Sequence, residues 1–293
     1  MEATWTILKL IQWTTQYFSR KGVAQPRTDA EVLLAHVLGI ERIQLYLRFD
    51  QPLRETELAE YREAVRRRAT HEPLQYITGR REFWSLELEV SPSVLIPRPE
   101  TEVLVEKALA LLKGNGSAIP WVLDLGTGSG AIAIALAHEH SGVQVLATDI
   151  STAALAVAQR NARRHHVADR VHLVAMDLCC GLAVAGAAFD LIVSNPPYIA
   201  SSDIPGLAPE IAHFEPRNAL DGGLQGLDVI QQIMEQAHGS LKPSGSLLVE
   251  IGQGQAELLR HQQVNQTSYI SIDFIADYAG IPRVLHLRHP SGW

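Results

Sequence analysis

The chain has 293 residues, of which 46% are hydrophobic and 19% charged, as in folded globular proteins and unlike disordered chains. Its net charge of −7 disfavours a protein that depends on bulk electrostatic attraction to nucleic acid. The apolar runs are too short to cross a bilayer, and the N-terminus lacks a signal-peptide pattern. The two cysteines, Cys179 and Cys180, are adjacent, which suits neither a structural disulfide nor a zinc site. We therefore expect a cytoplasmic protein without a membrane segment.

The first seventy or so residues have the pattern of helices. Apolar residues recur at helical spacing from Trp5 to Ile11. The segment Thr28 to Glu31 fits a capping box for a second helix, and Gly39 fits its C-terminal stop. The charged stretch from Arg54 to Thr70 predicts a further, exposed helix, whose interleaved charges favour a solvated face over contact with nucleic acid. We assign residues 1–72 to a helical N-terminal domain.

The pattern changes between Gln75 and Ile96. β-Branched and aromatic residues, a Gly-Arg-Arg turn region at 79–81 and an alternating SLELEV stretch predict a β-hairpin. We assign residues 73–97 to this hairpin linker. A helix is predicted from Glu100 to Lys113, where the first helical residues follow a proline. Residues 98–293 then form the second domain.

Short apolar strands alternate with helical stretches through most of this second domain. The five strand candidates are WVLDL, VQVLATD, RVHLVAMD, FDLIVS and GSLLVEI. The helix candidates are AIAIALAHE, TAALAVAQRNARRH and LDVIQQIMEQAHG. The alternation predicts an α/β fold with a mostly parallel sheet covered by helices on both faces. The final segment, from Tyr269 to His289, has two β-like runs without an intervening helix and predicts an antiparallel pair at the sheet edge.

A glycine-rich turn follows the first predicted strand, in the sequence DLGTGSG that begins at Asp124. Glycines at a strand-to-helix turn let the backbone approach a ligand closely, and the helix N-terminus favours negative charge. The Gly-x-Gly-x-Gly spacing matches neither the dinucleotide fingerprint nor the P-loop. The candidate ligand-binding residues of this turn are Gly126, Thr127, Gly128, Ser129 and Gly130.

Two carboxylates are predicted at neighbouring strand ends. Asp149 ends the second strand, where a carboxylate is placed to accept hydrogen bonds from ribose hydroxyls, because open α/β sheets bind ligands beyond the carboxyl ends of their strands. Asp177 ends the third strand similarly, and with Leu178 it is placed to border an adenine. The sequence therefore predicts a ligand that contains a nucleoside.

The most specific signal is Asn195-Pro196-Pro197-Tyr198, which comes directly after the predicted strand FDLIVS. Two prolines fix the backbone and remove two amide donors, which leaves carbonyl oxygens as acceptors. We predict that the Asn195 side-chain oxygen and the Pro196 carbonyl accept the two hydrogens of a planar NH2 group, while Tyr198 packs on its flat face. A glutamine amide and the exocyclic amine of a nucleobase fit this pattern equally well.

DLGTGSG, Asp149 and NPPY together resemble a class I S-adenosylmethionine-dependent methyltransferase that acts on a planar nitrogen. Further segments extend the resemblance to the PrmC/HemK family of protein-(glutamine-N5) methyltransferases over essentially the whole chain. These segments are QYITG with EFW, LIPRPETE, FEP with ALDGG, and LLVEIG with Gln253 to Gln255. Two positions depart from the family pattern: Gln225 stands where an aspartate is expected, and Leu178 where many members carry an aromatic residue.

The resemblance implies methyl transfer from S-adenosyl-L-methionine, with S-adenosyl-L-homocysteine as product, to the glutamine of the Gly-Gly-Gln motif of peptide chain release factors. It implies a cofactor site formed by the glycine turn, Asp149, Asp177, Leu178 and Asn195, and catalytic roles for Asn195, Pro196 and Tyr198, with Pro197 as a further substrate contact. We expect the N-terminal helices to recognise the protein substrate. We also expect a monomer that does not bind membranes and does not bind nucleic acid stably. We expect no metal site, because the histidines lack the spacing of metal ligands.

Three alternatives remain open. The first is an N6-adenine or N2-guanine methyltransferase acting on DNA or RNA, which predicts a base-flipping pocket and a basic surface. The second is a Rossmann oxidoreductase, for which Asp149 would serve equally well, although the glycine spacing and NPPY argue against it. The third is a non-enzymatic module that senses a nucleoside and docks a partner through its helices.

Overall fold

The computed structural model describes residues 5–114, 117, 119–180, 182, 188–263 and 269–290. The chain divides into two compact units. The first contains the residues up to Arg80 together with Ala208–Phe214, and the second contains Arg81–Leu207 and the chain from Glu215 onward. Among the described residues, no helix combines the length and the apolar character that crossing a bilayer requires.

The helices and strands are numbered in chain order. The α-helices are α1 (Ile7–Arg20), α2 (Pro26–Leu38), α3 (Arg42–Leu47), α4 (Glu55–Ala69), α5 (Leu74–Thr78), α6 (Thr101–Gly114), α7 (Ala131–Glu139), α8 (Thr152–Arg164), α9 (Pro209–Phe214), α10 (Asp228–Ala237) and α11 (Gln255–Gln263). The strands are β1 (Arg80–Phe83), β2 (Leu86–Glu89), β3 (Trp121–Leu125), β4 (Gln144–Asp149), β5 (Val171–Ala175), β6 (Phe189–Ser194), β7 (Leu241–Glu250), β8 (Ser271–Ala276) and β9 (Pro282–Arg288).

The helical unit packs around a buried apolar core that includes Phe18 and Tyr61. The predicted start of α2 is wrong: the helix begins at Pro26, whose fixed φ suits the first helical position, and not after a cap at Thr28. Glu31 consequently makes no capping box and instead accepts a hydrogen bond from the Tyr46 hydroxyl at 2.6 Å. Gly39 ends the helix as predicted, with a left-handed φ of 62°.

Helix α4 is the predicted charged helix, but its face is not wholly solvated. Arg68 is only 5% exposed. Its guanidinium donates to Asp29 on α2 at 2.7 Å and to Glu210 on α9 at 3.1 Å. The prediction of an exposed arginine is therefore wrong at Arg68, because its partners lie on other helices of the same unit and are not visible in the local charge pattern. Arg66 does have the predicted exposed position, paired with Glu63.

The predicted hairpin is shorter than the sequence pattern suggested. The residues Leu74 to Thr78 form α5, which Gly79 ends in a left-handed conformation, so the first part of the predicted hairpin is wrong. The turn lies at Trp84 and Ser85, which both have positive φ (52° and 57°) as a two-residue type I′ turn requires. Glu102 accepts a hydrogen bond from the backbone N–H of Trp84, and Glu139 accepts one from its indole N–H. These two bonds hold Trp84 in its positive-φ conformation.

The second unit contains a seven-stranded sheet in the order β5-β4-β3-β6-β7-β9-β8. All five predicted strands are present and pair in parallel, and β9 runs antiparallel to both β7 and β8, which confirms the predicted fold class. Side chains alternate between two apolar clusters, so that Val122 packs with α6, α7 and α8 while Leu123 packs with α10 and α11. This alternation places helices on both faces of the sheet. Helix α11, between β7 and β8, was not predicted.

Candidate active site

A cavity of about 290 Å³ lies at the carboxyl ends of the parallel strands, where open α/β sheets bind their ligands. Its lining combines the glycine turn after β3, the ends of β4 and β5, the loop after β6 and the start of α6. Predicted residues that line it are Gly126, Thr127, Gly128, Ser129, Asp149, Asp177, Leu178, Asn195 and Pro197. The structure therefore brings most of the predicted site residues around one cavity.

The glycine turn requires its glycines. Gly126, Gly128 and Gly130 have φ values of 69°, 57° and 83°, in the left-handed region that side chains other than glycine avoid. Gly130 does not line the cavity but caps α7, and a Cβ there would lie 2.8 Å from Ile134 Cδ1 and 3.2 Å from Ala158 Cβ. Gly130 thus allows α7 to pack closely against α8. Gly126 and Gly128 allow the backbone to bend around the cavity.

A buried asparagine supports the same turn. Asn161 on α8 has no exposed surface. Its Nδ2 donates to the carbonyls of Ser129 and Glu89, at 2.9 and 3.0 Å, and its Oδ1 accepts from the Glu89 N–H at 2.7 Å. Asn161 therefore joins the glycine turn to β2. Sequence reasoning missed it, although an asparagine on an otherwise apolar helical face is an available signal.

The Asp149 carboxylate is held by two backbone N–H groups. Oδ2 accepts from Gly128 at 2.9 Å, and Oδ1 accepts from Ser151 at 2.8 Å. Each carboxylate oxygen has further lone-pair capacity, and the half-buried side chain lines the cavity. This arrangement fixes a negatively charged acceptor at the end of β4, which suits vicinal hydroxyl donors.

Asp124, the last polar residue of β3, is a buried carboxylate that the sequence analysis did not single out. It has no exposed surface, and burial raises its pKa to about 7. The Thr127 hydroxyl donates to its Oδ2 at 2.6 Å and opposes this shift, whereas the nearby charge of Asp149 adds to it. Asp124 therefore fixes Thr127 in the glycine turn and lies behind the cavity lining.

Asp177 and Leu178 lie just beyond β5, which ends at Ala175. Both line the cavity, with Asp177 exposed and Leu178 half-buried. At this end of the cavity, Asp177 presents a polar group and Leu178 an apolar surface.

Asn195 follows β6 directly and presents an unsatisfied acceptor. Its Nδ2 donates to the Thr101 hydroxyl at 3.0 Å. Its Oδ1 is buried and has no hydrogen-bond partner in the described part of the protein. Buried polar atoms without partners are rare and costly, so this oxygen marks a place where an N–H donor fits.

The two following motif residues are placed differently. Pro196 is buried and does not line the cavity, whereas Pro197 does. Tyr198 is half-buried and outside the lining, and its hydroxyl donates to Glu250 Oε1 at 3.2 Å. Burial raises the pKa of Tyr198 well above its usual range, as does the neighbouring Glu250 charge, so this hydroxyl keeps its proton.

A buried glutamine fixes the backbone of this loop. The Nε2 of Gln255 donates to the Tyr198 and Gly226 carbonyls at 2.9 and 3.0 Å, and its Oε1 accepts from the Gly252 N–H at 2.8 Å. A Cβ at Gly226 would lie 2.2 Å from the Tyr198 carbonyl oxygen. A Cβ at Gly222, within ALDGG, would lie 2.7 Å from the Pro197 carbonyl oxygen. The family segments ALDGG and LLVEIG are thus packed against NPPY, and Gln225, which departs from the family pattern, is exposed.

Several cavity residues were not predicted. Thr101, Asn218, Ser93 and Met176 line the cavity, and Glu250 lies beside Tyr198. Thr101, Asn218 and Glu250 each lie within or beside a segment that carried the family resemblance, which was the available signal for them. Within the described ranges, no three His, Cys, Asp or Glu side chains are grouped as a metal ion would require.

Comparisons with known proteins agree with this geometry. A family model described as "PrmC N-terminal domain" matches residues 9–79, and one described as "Methyltransferase small domain" matches residues 101–212. The solved "hMettl16 catalytic domain in complex with MAT2A 3'UTR hairpin 6" superposes with a TM-score of 0.54 at 17% identity, covering 77% of this chain and 81% of that one. At that identity the likeness concerns the fold alone. The fold and the site define a class I methyltransferase.

Curated relatives make the assignment more specific. The release factor glutamine methyltransferase of Geobacter sulfurreducens is 46% identical, over 96% of this chain and 96% of the relative. That of Rhodopirellula baltica is 41% identical, over 98% and 97%. The chain belongs to the release factor glutamine methyltransferase family, which confirms the resemblance found in the sequence.

Proposed function

We propose that this protein transfers a methyl group from S-adenosyl-L-methionine to the side-chain nitrogen of the glutamine in the Gly-Gly-Gln motif of peptide chain release factors. Family membership supports a glutamine amide over a nucleobase as the acceptor. The observation that carries the proposal at the site is the buried, unpartnered Oδ1 of Asn195. An amide NH2 supplies the donor that this oxygen lacks.

The cavity residues fit the cofactor. Asp149, held by Gly128 and Ser151, accepts hydrogen bonds from the ribose hydroxyls, and Asp177 and Leu178 border the adenine. When bound, S-adenosyl-L-methionine supplies a methyl group that is already activated on a sulfonium, so the proposed reaction requires neither a metal nor a covalent enzyme intermediate. The chain's task is then to hold and orient the acceptor nitrogen.

An amide nitrogen is a poor nucleophile because its lone pair is delocalised into the carbonyl. In the proposed complex, Asn195 Oδ1 and the Pro196 carbonyl accept its two hydrogens, which draws electron density toward the nitrogen and favours the positive charge that develops there. Tyr198 and Pro197 complete the contact with the amide. The proton that leaves the methylated nitrogen passes to water.

We further propose that three segments of the chain have different roles. Residues 1–72 recognise the release factor outside its glutamine, since a three-residue motif offers far less than the roughly 800 Å² per partner of a typical specific interface. Residues 73–97 link this part to the catalytic residues 98–293. The expected form is a cytoplasmic monomer without stable nucleic-acid contacts.

The test is methylation of a purified, unmethylated release factor with S-adenosyl-L-methionine, followed by peptide mass spectrometry. We expect one methyl group on the Gly-Gly-Gln glutamine, and a rate on the order of 10² lower for Asn195→Ala, the scale of losing one preorganised transition-state contact. The circular dichroism spectrum and the melting temperature of the variant serve as the control that it is folded. Methylation of RNA or DNA in place of the release factor would support the nucleic-acid alternative and contradict the proposal.

A further inference from the structure

An ion pair joins two segments of the chain that border the active-site cavity. The Arg98 guanidinium donates through Nη2 to Glu215 Oε1 at 2.6 Å, and the Ile96 backbone N–H donates to Glu215 Oε2 at 3.4 Å. The Glu215 side chain is 2% exposed and that of Arg98 is 27% exposed. Burial raises the pKa of Glu215, and the Arg98 charge opposes this shift. Arg98 thus offsets part of the cost of burying this carboxylate.

The two joined segments contribute separate parts of the cavity lining. The residues before Arg98 that line the cavity are Ser93, Val94, Leu95 and Pro97, and those after Glu215 are Pro216, Asn218 and Ala219. We call these segments the 93–97 wall and the 216–219 wall. Arg98 and Glu215 lie outside the lining, and they are 117 positions apart in sequence. The ion pair therefore fastens one wall of the cavity to the other from behind.

Both walls are also attached to the loop that follows β6. The Thr101 backbone N–H donates to the Arg98 carbonyl at 3.1 Å, and the Thr101 hydroxyl accepts from Asn195 Nδ2 at 3.0 Å. Beyond the 216–219 wall, the Leu220 carbonyl accepts from the Ile199 N–H at 3.0 Å. Together with the ion pair, these bonds close a ring that starts at Asn195 and returns to the same loop at Ile199.

This ring lies at the acceptor end of the cavity. It contains Asn195, whose Oδ1 is proposed to bind the substrate amide, whereas Asp149 and the glycine turn are held by bonds of their own. Methyl transfer requires the acceptor nitrogen to approach within about 3–3.5 Å of the methyl carbon along one direction, so small displacements of the surrounding walls lower the rate. A ring that fixes both walls to Asn195 limits such displacements.

We propose that Arg98 and Glu215 are positioning residues whose ion pair holds the 93–97 and 216–219 walls together, so that the acceptor glutamine enters with its nitrogen in line with the methyl group. This inference rests on the proposed function, because it assigns the spacing of the walls to the glutamine side chain. Neither Arg98 nor Glu215 touches a reacting atom in this scheme.

The first experiment measures kcat and KM of Arg98→Met on an unmethylated release factor. The variant keeps an aliphatic side chain and removes the cation, and its kcat should fall about 10- to 100-fold, the scale of a small misplacement of the reacting atoms. KM for the release factor should change by less than about threefold, because a glutamine side chain is a small part of a typical protein interface. S-adenosyl-L-homocysteine affinity, measured by calorimetry, should stay as in the wild type.

Three further variants make this test specific. Arg98→Lys restores the cation, and since the contact is made through the single Nη2 group, its kcat should return to within about fivefold of the wild type. Glu215→Gln keeps the side-chain shape, but its NH2 group cannot accept from either donor, so kcat should again fall about tenfold. It serves as the second variant if circular dichroism shows that Arg98→Met is unfolded. Arg217→Met, at an arginine whose side chain is 72% exposed and pairs with Asp221, is the matched control and should keep full kcat.

A second measurement does not depend on activity. Hydrogen exchange followed by mass spectrometry should be faster in Arg98→Met than in the wild type, in peptides that contain residues 93–98 and 216–222. Arg217→Met should leave exchange at residues 93–98 unchanged.

The inference would be overturned by full kcat in folded Arg98→Met, by unchanged exchange in both walls, or by a loss of S-adenosyl-L-homocysteine affinity as large as the loss of kcat. An equal loss of kcat in Arg217→Met would overturn it as well. In each of these cases an active wild type leaves the proposed function standing. A wild type that methylates no release factor would overturn both.

Discussion

The backbone N–H of Gly128 donates to Asp149 Oδ2 at 2.9 Å and thereby joins the glycine turn to the last residue of β4. The same carboxylate accepts from Ser151 through its other oxygen. The residue proposed to hold the ribose therefore also fixes the turn that bends around the cavity. A change at Asp149 should alter both properties together.

Asp149→Asn is expected to weaken S-adenosyl-L-homocysteine binding by about 10- to 100-fold. The amide NH2 group would face one of the two backbone N–H donors that the carboxylate now accepts from, and hydrogen bonds to charged groups are worth roughly 1.5–3 kcal/mol. Calorimetric titration measures the effect. Asp169→Asn, at a carboxylate whose side chain is 76% exposed, is the control and should bind normally. Equal affinity in the two variants would contradict the ribose assignment.

Gly130→Ala is expected to destabilise the protein by about 2–4 kcal/mol, combining left-handed backbone strain with overpacking. The new Cβ would meet Ile134 and Ala158 at 2.8 and 3.2 Å. Gly22→Ala is the matched control, because Gly22 has a similar φ of 75° with no atom within 4 Å of its Cβ position, and it should lose only about 1–2 kcal/mol. Urea unfolding measures both, and the difference between them isolates the packing contribution.

Arg68→Met is expected to cost about 3–5 kcal/mol, because it leaves the buried Asp29 carboxylate without its cation and also removes a partner of the half-buried Glu210. Arg66→Met removes an exposed arginine paired with Glu63 and should cost less than about 1 kcal/mol. Chemical denaturation distinguishes the two. A similar loss in both variants would mean that the Arg68 pairs are worth no more than an ordinary surface pair.

Asp124 should make stability depend on pH in a defined direction. Its folded pKa of about 7 lies above the ordinary value of 3.8, so the fold favours the neutral form, and this contribution is lost as pH rises through about 7. Asp124→Asn cannot titrate. Its melting temperature relative to wild type should therefore increase between about pH 5 and about pH 8, by on the order of 5 °C.

Most of the fold follows from local pattern. Each of the five parallel strands contains a short apolar run, and the final antiparallel strands have no helix between them, so the hydrophobic pattern was sufficient. The errors arose where tertiary contacts override local sequence. Gln75 to Thr78 have β-like residues but form α5, which ends at Gly79, and the hairpin turn lies at Trp84, held by two glutamates from other helices.

The positions of Asp149 and Asn195 at the cavity were predictable, because each lies at the end of a strand. Asn161 and Glu250 could not be assigned in the same way, because their importance comes from the partners that the fold brings to them. Asn161 donates to Ser129 in the glycine turn across 32 residues of sequence and contacts Glu89 of β2 across 72. Glu250 accepts from Tyr198 across 52 residues. Periodicity carries no information about such pairs.

The bond between Arg68 and Glu210 joins residues 142 positions apart, although both belong to the unit that contains the start of the chain. During synthesis, at 5–20 residues per second, Glu210 is added on the order of ten seconds after Arg68. When the first helices have been synthesised, Arg68 therefore has Asp29 as a partner. It gains its second partner, Glu210, only after α9 has been synthesised. A fragment that stops at Arg80 would lack Glu210 and with it one of the two partners of Arg68. The N-terminal unit is therefore complete only with α9 present.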